Sequence, residues 1–377
     1  MKIQRAKTKK YDEFDFPRPM YFFAKFFHTF PRVANTVHEA ESLLLNKKLE
    51  KISIDRPIYI TGLARSGTTI LLEMFSQHPD LAAHRYLHMV IPYTPHWVQQ
   101  IANFTPLMTS PVERVHKDGM LVTRDSPEAV EEIFWQRFFV NPHDEANSNI
   151  LDSRTRHQPF EIFYRGHIRK LLFNQHASRY LAKNNYNVAR MDYLQRLFPD
   201  VKFVILIRNP FSHIASLAKQ DGVLKELERK DPLLLDWTKI IGHREFGSAK
   251  VCINLDNHST IQRIRQLWGQ KDNYIKGWAI YWASVYSHIY KKLQTNPELA
   301  KASLIVKYED LCEFPGKTID RIIDHIEVNP EDFAKIKEYY CTRLHQPNYY
   351  KTEYSEKERE DILKATREIA EMYGYIF

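Results

Sequence analysis

No apolar run in the chain approaches the ~18 residues of a transmembrane helix, and no signal peptide precedes the first candidate strand. A helical membrane span is not expected. Cysteine is scarce: Cys252, Cys312 and Cys341 are widely spaced, odd in number and form no CxxC pair. That pattern argues against a disulfide framework and against a zinc site, and it favours a reducing compartment, the cytoplasm. There is no internal repeat, no basic recognition helix and no aromatic RNA-binding motif, so no nucleic-acid partner is expected. What remains is globular material. The 377 residues are 44% hydrophobic and 13% aromatic, enough for one large core. The 54 basic and 46 acidic residues leave a net charge of +8, scattered rather than clustered. Such a balance reads first as a solvated basic surface, and second as attraction for polyanions or an anionic membrane face.

One stretch organises the chain, Pro57–His78, PIYITGLARSGTTILLEMFSQH. Ile58-Tyr59-Ile60 is long enough for a buried strand, and Ile70, Leu71, Met74 and Phe75 recur at helical spacing. Between them lies a small-residue loop, Gly62 to Thr69. A strand, such a loop and a helix N-terminus make an anion cradle, with backbone amides pointing at the ligand. The glycines, Gly62 and Gly67, have Walker A spacing, but Thr68 stands where that motif needs Lys. The cation is Arg65, within the loop. The best second strand, Val201–Ile207, ends in Arg208 and not in the acidic residue that helps a nucleotide hydrolase or kinase hold magnesium. Two arginines and no evident metal carboxylate describe a site for a multiply anionic ligand without a metal. A short strand–helix unit whose glycines serve only packing is the plainer alternative.

GLARSGTT resembles the 5′-phosphosulfate loop of sulfotransferases that use 3′-phosphoadenylyl sulfate (PAPS). RNPFSHIAS, Arg208 through Ser216, is similar to their 3′-phosphate motif, an Arg at a strand end and a Ser in the next helix. Further segments resemble the large, mostly bacterial branch of this superfamily: HKDGMLVTRDSPEAVEEIFW, LAKNNYNVARMDYLQRLFPDVKF and SLIVKYEDL. Together they extend from about residue 57 to 315.

The resemblance implies an enzyme that moves the sulfuryl group of PAPS to a hydroxyl or amine by metal-free in-line transfer, leaving adenosine 3′,5′-bisphosphate. The acceptor would be a small molecule, lipid or glycan. Arg65, Ser66, Gly67, Thr68 and Thr69 would hold the 5′-phosphosulfate, and Arg208 and Ser216 the 3′-phosphate. Lys183, in LAKNNY, matches the family's lysine at the transferring group. The base is open. His116, in the HKDG turn, is the first choice, with Asp118 to orient it; His84, His88, Glu128 and Glu132 are alternatives. The glutamate that the tyrosylprotein branch places about twenty residues beyond the loop Arg is missing, because that offset falls near Arg85 and Tyr86. A P-loop kinase and a catalytically silent nucleotide-binding protein are the other readings.

The expected fold is α/β, a P-loop-like parallel sheet of about four or five strands flanked by helices, with helical cap segments. Residues 1–56 are expected as an N-terminal helical extension and 57–377 as the α/β domain, with a helical insertion at about 219–262. Short strands are expected at 180–182 and 302–306, and helices from Asp125, over 160–173, 188–198, and 264–293. The aromatic-rich stretch 17–32 predicts a helix packed on the core or a lid, with peripheral membrane contact as the alternative.

Overall fold

The structure, a computed structural model, describes residues 18–104, 111–113, 121–345 and 353–377. Seven strands form in chain order: β1 (Ile58–Thr61), β2 (Leu81–Ala83), β3 (Val112–Glu113), β4 (Leu121–Val122), β5 (Arg179–Lys183), β6 (Lys202–Ile207) and β7 (Ser303–Lys307). β3 and β4 pair in a separate antiparallel ribbon, while the other five make one sheet in the order β2-β5-β1-β6-β7. Every neighbour in that sheet is parallel. The expected α/β architecture is therefore present, with the organising strand at its centre.

The strands read as nearly unbroken apolar runs because both faces are covered. Their alternation sorts the side chains. Tyr59, Tyr180, Ala182, Phe203 and Ile205 enter the larger core. Ile58, Ile60, Leu181, Val204 and Leu206 enter a second core, with Leu71, Met74 and Phe75 of the helix Thr68–Phe75. On the larger side the helix Tyr274–Thr295 buries Trp278, Trp282, Val285 and Ile289, one stripe at helical spacing. Each such side chain, buried, contributes about 1.5–3 kcal/mol. Its aromatics are core, as their spacing implies.

Several elements differ from expectation. The helix expected from Asp125 begins only at Glu132 and ends at Phe138. The carbonyls of Arg124 and Ser126 accept from Leu87 and Tyr86, and Glu128 N–H donates to the His84 carbonyl, so this backbone is bound to a neighbouring segment and not to its own helix. The expected insertion does not start at 219, because the helix Pro210–Lys230 runs through that point. Its buried face carries polar side chains, Gln220, Asp221 and Glu228 beside Leu224 and Leu227, which blurs the hydrophobic period. Leu233–Ile241 and His258–Trp268 are the other helices of that stretch. The long helix expected over 264–293 is two, His258–Trp268 and Tyr274–Thr295, parted by a turn that starts at Gly269. A 3-10 turn at Asn185–Ala189 likewise precedes the helix Met191–Leu197.

At the N-terminal side, Pro31 separates the helix Arg18–Thr29 from Pro31–Leu49. Among the described residues no helix is long and apolar enough to cross a membrane, and the three cysteines are free.

Candidate functional site

The loop after β1 is built for close approach. Arg65 takes φ +70° and Gly67 φ +101°, both left-handed. A side chain at Gly67 would start 2.6 Å from the Tyr308 ring, so only glycine fits between the loop and the helix Tyr308–Glu313 that follows β7. Gly67 caps the helix Thr68–Phe75 without any side-chain hydrogen bond to its first amides. Those amides are the positive end of the helix dipole. Ser66 is buried, with its hydroxyl beside that of Tyr286.

Three residues from distant motifs meet over this loop. Arg65 Nε donates to Ser216 Oγ at 3.3 Å, and Arg208 Nη1 donates to the Arg65 carbonyl at 3.3 Å. Arg208 Nε also donates to Ser212 Oγ at 3.1 Å, and its guanidinium lies 4.8 Å from the Tyr308 ring centroid. Thr68 is buried and Thr69 partly so. Behind the loop, His213 is fully buried: Trp282 Nε1–H donates to its Nδ1 at 3.1 Å, so the proton sits on Nε2 and is given to the Ala64 carbonyl at 2.8 Å. Sequence reading passed over His213, although it lies inside the RNPFSHIAS motif.

Lys183 ends β5 opposite Ile60 of β1, beside the loop. The next residue ties the two strands, since Asn184 N–H donates to the Ile60 carbonyl at 3.1 Å and Thr61 Oγ1 to the Asn184 carbonyl at 2.8 Å. Glu128 shares this side. Burial alone would push its carboxyl up, but His243, the Ala129 amide, the Tyr86 hydroxyl and Lys183 outweigh that and hold it below the usual range. The Ala129 N–H is 2.7 Å from Glu128 Oε1. His243 Nε2–H donates to the Ala129 carbonyl at 3.0 Å. His243 was not foreseen.

The other candidate bases are differently placed. Glu132 is buried and takes both guanidinium nitrogens of Arg190 at 2.7 and 2.8 Å, Asn184 Nδ2 at 2.7 Å and His143 Nε2 at 3.0 Å. Those four contacts occupy both oxygens and leave no acceptor position for a substrate proton, and Arg190 and His143 hold the carboxyl far below the usual range against the effect of burial. His84 lies between the Tyr180 hydroxyl at 3.1 Å and His167 at 2.9 Å, and His88 Nδ1 accepts the Arg85 amide at 2.9 Å. Both rings are buried hydrogen-bonders of the core whose basicity burial has suppressed. His116 and Asp118 lie outside the described residues.

At the end of β7, Glu309 accepts the Asn209 amide and the Tyr375 hydroxyl, each at 2.9 Å. Among the described residues, one histidine–carboxylate trio could share an ion, His78, Asp80 and Asp332, with ligand atoms within 4.8 Å. It precedes β2, at the opposite end of the strands from the loop.

A parallel sheet whose central strand runs into a glycine-flanked anion loop, with an arginine from the adjoining strand end, defines the phosphate-loop class of α/β group-transfer folds. Within that class residues 57–241 match the sulfotransferase family, which supports the sulfotransferase superfamily for this chain. In structure it is similar to sulfotransferase STF1 from Mycobacterium tuberculosis H37Rv, at 16% identity and TM-score 0.53, over 90% of this chain and 84% of that one. Sulfotransferase STF9 from Mycobacterium avium is similar at 12% identity and TM-score 0.49, over 89% of this chain and 82% of that one. No curated protein matches the sequence.

Proposed function

We propose that this protein transfers the sulfuryl group of PAPS to a hydroxyl or amine of a small-molecule, lipid or glycan acceptor, without a metal ion, in the cytoplasm. The observation that carries the reading is the meeting of Arg65, Arg208 and Ser216 above a loop that leads into a helix with no side-chain cap. Uncapped amides and two guanidiniums fit a ligand with phosphates at two places. PAPS, when bound, supplies an activated sulfuryl group on a good bisphosphate leaving group.

The residues divide that work. The amides of residues 66–69 and Arg65 would hold the 5′ end, and Arg208 and Ser216 the 3′-phosphate that sets this nucleotide apart from ATP. Lys183 would offset the charge that grows on the leaving oxygen. Glu128, kept ionised, would take the acceptor's proton, with His243 beside it. His116 is the remaining candidate for that proton.

Calorimetric titration with adenosine 3′,5′-bisphosphate, against ATP with magnesium, tests the reading on wild type and Arg208→Ala. We expect metal-independent binding of the bisphosphate, weakened about 10- to 100-fold in the variant, the loss expected of one charged hydrogen-bonding group. Preference for ATP with magnesium, or equal binding by the variant, overturns it.

A further inference from the structure

The helix Arg18–Thr29 divides its surface by type. Met20, Tyr21, Ala24 and Phe27 are buried. Tyr21 Oη donates to Asp236 Oδ2 at 2.7 Å, and Lys25 Nζ to the same atom at 2.6 Å, which seats the helix on Leu233–Ile241 and fixes its rotation. That rotation leaves Phe22, Phe23, Phe26 and Phe30 in solvent, 62, 51, 44 and 51% exposed. At helical spacing the first three occupy an arc of about 100°, opposite the buried set. Phe30 follows the helix and its ring sits 5.1 Å from that of Phe26. Four neighbouring phenylalanines make an apolar patch of the kind that marks an interaction surface.

Charge selects the occupant. From Arg18 to His38 the sequence holds no Asp or Glu, while it holds Arg18, Lys25 and Arg32. Arg18 and Arg32 are exposed. Lys2, Arg5, Lys7, Lys9 and Lys10 precede that stretch, followed by Asp12, Glu13 and Asp15, so residues 1–38 hold eight basic and three acidic side chains. An aromatic face flanked by the exposed Arg18 and Arg32, in a segment of net positive charge, complements an anionic bilayer: rings enter the boundary of the acyl chains while the cations meet the headgroups. We propose that the helix Arg18–Thr29 docks this protein peripherally on an anionic lipid bilayer through Phe22, Phe23, Phe26 and Phe30. The docking stands apart from the sulfotransfer reading and holds or fails without it.

Co-sedimentation of the full chain with vesicles of phosphatidylcholine alone, and of phosphatidylcholine mixed with phosphatidylglycerol, tests the proposal. The wild type is expected to favour the mixed vesicles. Phe23→Glu/Phe26→Glu is expected to bind them at least about tenfold less, given what burying two rings contributes. Its melting temperature and its affinity for adenosine 3′,5′-bisphosphate should stay at wild-type values. Arg18→Glu/Arg32→Glu, which leaves the rings in place, should lose the preference for the anionic vesicles. Wild type that ignores mixed vesicles, or a phenylalanine variant that binds them as wild type does, overturns the proposal. So does a wild-type dimer in sedimentation equilibrium that Phe23→Glu/Phe26→Glu abolishes, because a second copy would then cover the face.

Discussion

Burial has opposite results at two side chains near the loop. At His213 it wins: desolvation, aided by the charges of Arg208 and Arg65, brings the imidazole down to about 3 despite the hydrogen bond to Ala64. At Glu128 it loses to His243, the Ala129 amide, Tyr86 and Lys183, and the carboxyl stays ionised. An ionised carboxylate beside a lysine is a proton acceptor, which is the role proposed for it. Glu128→Gln is therefore expected to lower kcat by about 10²–10⁴-fold while leaving bisphosphate affinity unchanged. Steady-state turnover on a working acceptor, paired with calorimetry, reads both, and an undiminished kcat moves the role to His116. The loop residues were legible because each sits in a short linear motif beside a strand end. His243 was not, since it stands 114 residues from Ala129 and follows Gly242, a left-handed helix cap that resembles many others.

At the level of elements, the end of β5 is fastened to the helix Glu132–Phe138. Asn184 donates to Glu132, which is locked to Arg190, and all three side chains are buried. Removing one partner of such a pair leaves an uncompensated charge inside the protein. Glu132→Ala should therefore cost roughly 3–5 kcal/mol. A urea denaturation curve would show the loss as a lower midpoint at similar slope, and an unchanged midpoint would mean that Arg190 finds water. The strands were readable as apolar runs, and Val201–Ile207 came within one residue of β6. The start of the Glu132 helix was not readable. Asp125-Ser126-Pro127-Glu128 carries every local mark of a helix beginning, but its backbone is claimed by residues 84–87. Partners that far away leave no periodic trace in the segment itself.

For the molecule as a whole, buried histidines set the response to acid. Burial is the leading cause that brings His84 and His213 to about 3 and His38 and His288 to about 4, and it carries His88 and His167 well below the ordinary 6.5. Between pH 6.5 and about 4 the unfolded chain binds protons at these positions and the native chain does not, so stability falls as pH falls. Glu131, raised by burial from 4.5 to about 7, works the other way over that interval, because there the native state holds the extra proton. Glu41, also raised by burial, acts in the same sense, but two carboxyls do not reverse six imidazoles, each worth at most about 1.4 kcal/mol per pH unit. The melting temperature at pH 5 should accordingly lie below that at pH 7, and a flat or rising trend in a buffer series would refute the balance. The locked His213 has a consequence for catalysis as well. Guanidiniums do not titrate near neutrality, and the imidazole behind them stays uncharged, so Arg65 and Arg208, in the nucleotide-binding role proposed for them, are expected to respond to pH only through the ligand's own phosphate titration. Whatever bend a rate profile shows above that titration belongs to the acceptor half, and its inflection would identify the proton's destination without any mutation.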